Sequence, residues 1–171
     1  MTNYKNSTST VKGYTDSKIA SSEKNDCFVR ALAAATDVHY DTAHTYSKEV
    51  FGRINKKGVI FNSTKLDSIA KNGMELDDKM FAFQVLSNER VTNRYKLHGD
   101  IIRRQKTVKS FIKDNPNGTF ILGVSKHAFT VKDGVLIDNI GEEFRPTRKV
   151  TSAFKINNMS QNPPVEQLKL F

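Results

Sequence analysis

The chain has 171 residues, a formal net charge of +9 and 37% hydrophobic residues. That length is enough for one domain with its own core and short for two. No apolar run approaches the roughly 18 residues that cross a bilayer, and the N-terminus lacks the apolar segment of a secretory signal, so we expect a soluble protein without membrane contact. A single cysteine excludes an internal disulfide and a thiolate zinc site, and fits a reducing compartment.

The two ends of the chain differ in composition from its middle. Residues 1–24 are rich in Ser, Thr, Asn and Lys with few apolar residues, which predicts a flexible N-terminal arm. The composition changes at Asn25, so we place a single folded domain over residues 25–158. Residues 159–171 follow with two consecutive prolines and are predicted to be a tail that docks or hangs free.

Helices are predicted first along the domain. Asn25 and Asp26 are good helix caps, and the apolar run CFVRALAAAT follows them, which predicts a buried helix with Cys27 in its first turn. Two more helices are predicted over about residues 40–51 and from Ser63 or Thr64 to Gly73.

Strands dominate the second half. Residues 80–86 have the composition of a strand, and Thr107 can cap a short helix. The runs TFILGVS, HAFTV and VLID come next, and Asp133-Gly134 between the last two is typical of a hairpin turn. With one or two further strands around residues 150–156, the order predicts an α+β domain in which N-terminal helices pack on an antiparallel sheet.

A polar, basic insert covers about residues 87–106 and gives no firm structural prediction. One interpretation is weak contact with nucleic-acid phosphates through Arg90, Arg94, Arg103 and Arg104, which the net charge favours. The other is a solvated face, because a base-stacking platform usually has more aromatic residues than the single Tyr95.

Three separated residues form a candidate catalytic site. A thiol acts as a nucleophile in its thiolate form, which a helix N-terminus and a nearby imidazolium both favour, so Cys27 is the candidate nucleophile. His127 opens a hairpin strand and is the candidate base. Asp138 closes the partner strand, roughly opposite His127, and can orient the imidazole ring.

Asn25 is the candidate for an oxyanion donor beside the backbone N–H of Cys27. Each of these residues also has a structural interpretation. Cys27 can be a small buried residue, His127 a structural histidine, Asp138 a strand-end residue and Asn25 only a cap.

No metal or cofactor is predicted. His39 and His44 are five residues apart, which misses the spacing of a metal pair on one helix face, and His98 stands alone. The chain also lacks a Gly-rich phosphate loop and an obvious pair of catalytic carboxylates, so a nucleotide enzyme or nuclease is not expected.

The segment Asn25-Asp26-Cys27-Phe28-Val29-Arg30-Ala31 resembles the N-D-C-x-x-R-A opening of small papain-like proteins of bacteriophages and bacteria, and Tyr40-Asp41 resembles the start of their second helix. The stretch TVKSFIKDNPNGTFILGVSKHAFTVKDGVLIDN is similar to their helix, strand and His-bearing hairpin. The resemblance covers residues 25–72 and 107–140. It implies a papain-like fold, and catalytic roles for Cys27, His127 and Asp138.

The expected function is therefore a papain-like cysteine peptidase or amide hydrolase of phage type, without a cofactor, that acts on a protein or peptide in the host cytoplasm or the virion. Its substrate could be a phage precursor, a host protein, or an isopeptide or peptidoglycan amide. Two alternatives remain: a structural or virion-packaged protein that contacts other virion proteins through an inactive papain-like scaffold, and a basic accessory protein associated with nucleic acid.

Overall fold

The computed structural model describes residues 3–139 and 146–159. Its helices are α1 (Ser7–Thr10), α2 (Lys18–Ser22), α3 (Cys27–Thr36), α4 (Tyr40–Glu49), α5 (Ser63–Asn72), α6 (Asn88–Val91) and α7 (Val108–Asp114). Its strands are β1 (Tyr4–Asn6), β2 (Met74–Leu76), β3 (Lys79–Val85), β4 (Thr92–Leu97), β5 (Asp100–Gln105), β6 (Thr119–Val124), β7 (His127–Lys132), β8 (Val135–Asp138) and β9 (Ser152–Asn158). None of these helices is long and apolar enough to cross a membrane.

One large sheet organises the described part of the chain. Its strand order is β1-β8-β7-β6-β9-β3-β2, and β4 and β5 form a separate two-stranded ribbon. Neighbouring strands are antiparallel except β1, which runs parallel to β8. Helix α3 packs against β6, β7 and β8, and α4 packs on α3. The prediction of an α+β domain with helices on a mainly antiparallel sheet is confirmed.

The sheet has an apolar cluster on each face. Successive side chains of β6 point to opposite faces of the sheet. Ile121 belongs to the cluster built on α3 and α4, whereas Phe120 and Leu122 belong to the cluster that contains Phe111 of α7. Thr130 of β7 donates its hydroxyl to the Ala31 carbonyl of α3 at 2.6 Å. The central strands are therefore covered on both faces, which makes them a rigid support for residues at their ends.

The predicted helices start within a residue of where the sequence placed them, but the capping side chains differ at α3 and at α5. Helix α5 begins at Ser63, but the side chain of Asn62 is the cap and accepts from the N–H groups of Thr64 and Lys65. Thr107 caps α7 as predicted, by accepting from the N–H of Ser110.

The prediction of a flexible N-terminal arm is wrong for residues 3–24. Strand β1 pairs with β8, with Tyr4 beside Leu136, and the side chains of Val11 and Ala20 are only 5% and 7% exposed. The composition of the segment could not reveal this, because the segment is attached by backbone pairing of β1 with β8 and by side-chain contacts of Tyr14 and Ser17 with residues distant in sequence. The boundary at Asn25 is therefore not the start of the folded part.

The basic insert, which carried no firm structural prediction, contains the short helix α6 and the ribbon of β4 and β5. His98 and Gly99 connect the strands with φ values of 50° and 90°, the left-handed backbone of a tight two-residue hairpin turn.

At the other end of the chain, β9 ends at Asn158. Of the predicted tail, residues 160–171 lie outside the described residues.

Packing of the N-terminal segment predicts a measurable effect at Val11. Removing its two methyl groups from the core should lower the free energy of unfolding by about 2 kcal/mol. Val11→Ala and, as the matched control, Val85→Ala would be compared by urea unfolding. Val85 is 43% exposed, so its truncation should cost much less. Equal, small effects at both positions would show that residues 3–24 do not pack.

Candidate active site

Cys27 is the first residue of α3, as the sequence predicted, and it is partly exposed although most of the helix is buried. Asp26 occupies the N-cap position, but its side chain does not cap the helix. Its Oδ2 instead accepts from the Tyr40 hydroxyl at 2.9 Å and from Nε of Arg30 at 3.2 Å. No side-chain cap therefore occupies the first turn, and the positive end of the helix dipole remains available at Cys27.

These contacts account for the spacing of the N-D-C-x-x-R element. Arg30 lies one turn after Asp26 on α3, and the two form an ion pair whose side chains are at most 13% exposed. Arg30 also donates to the hydroxyls of Tyr14 and Thr8, which joins the helix start to the N-terminal segment. Burial raises the pKa of the Asp26 carboxyl, although the Tyr40 hydrogen bond opposes that rise. The start of α3 is thus held by contacts with Tyr40 of α4 and with the N-terminal segment.

His127 and Asp138 meet at one end of the sheet. The Nε2 atom of His127 lies 2.8 and 2.9 Å from the two carboxylate oxygens of Asp138. The sequence predicted that His127 and Asp138 lie roughly opposite each other, but their positions on the two strands are offset by two residues. The register of Thr130 with Ile137, continued by one residue, places Asp138 beside Phe129. Alternation puts His127 and Phe129 on the same face, so the carboxylate reaches the ring along the diagonal.

The Asp138 carboxylate is almost completely buried, with 3% of its side chain exposed. Its Oδ1 accepts from the backbone N–H of Asn139 at 2.7 Å, and the Tyr4 hydroxyl of β1 donates to its backbone carbonyl at 2.8 Å. The guanidinium of Arg30 lies near enough to interact with it electrostatically. A buried carboxylate needs such compensation, and His127 supplies the closest positive charge.

The protonation of His127 follows from these surroundings. Burial of the ring disfavours the imidazolium, but the hydrogen bonds to Asp138 and Cys27 outweigh it and raise the pKa of His127 to about 9. Because Nε2 is held by Asp138, Nδ1 is the ring nitrogen that can meet the thiol. The structure therefore brings together the three residues that the sequence proposed for catalysis, in the order thiol, imidazole, carboxylate.

Asn25, the fourth predicted site residue, lies in the same cleft and has a left-handed backbone with φ of 55°. Its Nδ2 donates to the carbonyl of Lys56 at 3.1 Å. An amide nitrogen carries two hydrogens, so one remains for a ligand. Asn25 also attaches the helix start to the loop after α4, a structural contact that the sequence did not predict.

A buried ionic network fixes that loop. Arg53 donates to the Glu23 carboxylate at 2.6 Å and to the Lys24 carbonyl at 3.2 Å, and His44 lies 3.0 Å from Glu23. The hydrogen bond from Arg53 is the main cause that lowers the pKa of Glu23 to about 2. The sequence offered no signal for this network, because 30 residues separate Glu23 from Arg53 and only the fold joins them.

The cleft at the thiol has a volume of about 410 Å³. Cys27 and His127 line it together with Asn25, Asp26, Gly58, Lys126 and Asn139. Sequence reasoning missed Gly58, Lys126 and Asn139, although the latter two directly precede His127 and follow Asp138. Its lining exposes apolar as well as polar atoms, and Lys126 adds an exposed positive charge beside His127.

Among the residues that the structure describes, no three His, Cys, Asp or Glu side chains are grouped as metal ligands would be. Comparisons with models of protein families, with curated proteins and with solved structures find no match to this chain.

The raised pKa of His127 predicts a stability that depends on pH. The pair with Asp138 stabilises the folded state fully below about pH 6.5, the ordinary pKa of histidine, and this contribution is lost as pH rises through about 9. Asp138→Asn should therefore lower the free energy of unfolding most near pH 6. Each tenfold change in the proton affinity of His127 corresponds to about 1.4 kcal/mol. The loss of unfolding free energy caused by Asp138→Asn should therefore be smaller at pH 10 than at pH 6, by up to about 3 kcal/mol.

Urea unfolding across that pH range measures this cost. Asp67→Asn is the matched control, because Asp67 is exposed and has no ion pair among the described residues. A cost of Asp138→Asn that stays constant from pH 6 to 10 would contradict a charged His127 in the folded protein.

Proposed function

We propose that the protein is a hydrolase that uses a cysteine nucleophile. One observation supports this most strongly. A partly exposed cysteine at a helix N-terminus and a buried carboxylate interact with the same histidine ring, and thiol and ring line one cleft. A structural cysteine requires neither the helix end nor the charged partner.

Within that class, we propose a peptidase or related amide hydrolase of the papain-like type found in phages and bacteria. Three features support the narrower assignment. The nucleophile starts a helix that packs on the sheet, the histidine starts a hairpin strand, and the carboxylate ends the next strand. The host cytoplasm or the virion is the place of action that this assignment favours.

The proposed reaction has two stages. In the first, the Cys27 sulfur attacks the carbonyl carbon of an amide, and His127 gives its proton to the leaving amine as the C–N bond breaks. In the second, His127 takes a proton from water, whose oxygen attacks the thioester carbon; the C–S bond breaks, which releases the acid and returns Cys27 as thiolate beside protonated His127. Asp138 keeps the ring oriented and stabilises the imidazolium throughout.

Charge that develops on the carbonyl oxygen also needs donors. The backbone N–H of Cys27 is one, at the positive end of α3. The second hydrogen of the Asn25 amide is the other candidate, because Asn25 lines the cleft and its first hydrogen is already bound to Lys56. Its attachment to the loop would hold it in place for this role.

The exposed lining suggests the kind of substrate. Lys126 and Asn139 border the cleft beside His127. A polar peptide or isopeptide segment, with a carboxylate or carbonyl near Lys126, is the ligand that these groups favour. The proposed substrate is therefore a protein, in the virion or in the host.

Reactivity of the thiol tests this proposal. At pH 6.5 an ordinary thiol is only about 1% ionised, so Cys27 held against a protonated His127 should react with iodoacetamide at least about tenfold faster than a reference thiol. The rate is measured by mass spectrometry over pH 5.5–9. His127→Gln should reduce the rate at pH 6.5 to that of the reference.

The chain offers a matched reference. Ser63 is exposed and starts α5, which has ten residues like α3. In the double variant Cys27→Ser, Ser63→Cys the thiol occupies a helix N-terminus without a histidine. If Cys27 reacts no faster than this thiol at pH 6.5, the hydrolase proposal is wrong, and an inactive scaffold is the better description.

A further inference from the structure

The ribbon of β4 and β5 extends from the domain. Every residue from Arg94 to Gln105 is exposed except Ile102, which is partly exposed. Hydrogen bonds at its base attach it, from the Lys106 N–H to the Val91 carbonyl and from the Val150 N–H to the Lys106 carbonyl, both at 2.9 Å. Strands of six residues span about 20 Å, so the ribbon is a long projection for a domain of this size.

The register sorts its charges by face. Arg94 pairs directly with Arg103, and Lys96 with Ile101, so these side chains share one face with the pair Thr92 and Gln105. This cationic face is defined by Arg94, Lys96 and Arg103. Like charges placed directly opposite destabilise a hairpin, so the arrangement has no evident benefit for folding.

Few acidic groups neutralise the cationic face. Arg103 contacts Glu89 at 2.9 Å, but the Glu89 side chain is 74% exposed, and such a pair contributes little. Among the described residues, neither Arg94 nor Lys96 has an acidic partner within ion-pair distance. The face therefore presents uncompensated positive charge to an external ligand.

Two of the four arginines predicted to contact phosphates do not belong to this face. Arg90 donates to the Asn115 side chain at 3.1 Å, which holds it at the base of the ribbon. Arg104 is on the opposite face, with its guanidinium 5.9 Å from the Tyr95 ring centre. Lys96, absent from the predicted set, replaces them.

We infer that the ribbon is a binding arm for duplex DNA, which contacts the phosphate backbone through Arg94, Lys96 and Arg103. The major groove of B-form DNA is about 12 Å wide and admits a two-stranded ribbon. Contacts to phosphate from lysine and arginine give affinity without sequence preference. This activity is separate from the proposed hydrolase chemistry.

Duplex DNA is favoured over single-stranded nucleic acid for a structural reason. Single strands are bound largely by stacking on aromatic rings, and the ribbon's single aromatic residue, Tyr95, lies on the face away from the cationic one. Tyr95, Leu97 and Ile101 are 46–59% exposed, which also suits a protein partner, but they are divided between both faces and form no continuous apolar surface.

Fluorescence anisotropy with a labelled duplex of about 30 base pairs and arbitrary sequence tests the inference between about 50 and 200 mM KCl. The wild type should bind with an affinity that falls steeply with salt. In the variant Arg94→Gln, Lys96→Gln, Arg103→Gln, the salt slope should decrease by about 3 and affinity at low salt should fall at least about tenfold. Cys27→Ala should bind like the wild type.

A second triple variant separates the arm from the overall charge. Lys48→Gln, Lys71→Gln, Lys79→Gln removes three exposed cations away from the ribbon and leaves the same net charge as the arm variant. It should keep most of the affinity, and thermal unfolding should be similar for both variants.

Equal losses in the two triple variants would overturn the inference, because attraction would then follow net charge alone. It would also be overturned if the wild type failed to bind the duplex at about 50 mM KCl, or if it bound a single strand of equal length or vesicles of anionic lipid more tightly than the duplex.

Discussion

The interaction on which the site depends is the contact between the His127 ring and the buried Asp138 carboxylate. A carboxylate with 3% of its side chain exposed has lost most of its hydration. Opposite charges and hydrogen bonds within the fold must compensate for the hydration free energy that is lost. His127 does so with Nε2, the Asn139 amide adds a hydrogen bond, and the Arg30 guanidinium adds a favourable field. The same contact raises the pKa of His127 and leaves Nδ1 as the ring nitrogen that can meet the thiol.

The rest of the domain holds the two halves of the site in place. The rigid hairpin of β7 and β8 carries His127 and Asp138, and β1 covers the outer edge of β8. On the other side, the Asp26 contacts with Tyr40 and Arg30 fix the start of α3, while Glu23 and Arg53 fix the loop that Asn25 binds. Much of this polar structure serves the cleft and not the apolar core, which supports a role for the cleft in function.

Local signals in the sequence were enough to predict the helix and the hairpin that carry the candidate site. The cap residues before CFVRALAAAT predicted the helix start at Cys27, and Asp133-Gly134 predicted the hairpin that places His127 and Asp138 near each other. Alternation alone could not give the register, so the diagonal geometry was not foreseen. The packing of residues 3–24 could not be predicted from composition, because their backbone pairing and their side-chain contacts to distant residues both depend on the fold. The Glu23 and Arg53 pair was missed because it joins segments that are distant in sequence.

Nuclear magnetic resonance of the His127 ring nitrogens tests the central claim most directly. At pH 7.5 we expect both nitrogens of His127 to carry protons and the ring to titrate near pH 9, since the carboxylate and the thiol favour the charged form. A ring that is neutral at pH 7.5 and titrates near 6.5, like an ordinary histidine, would contradict the account.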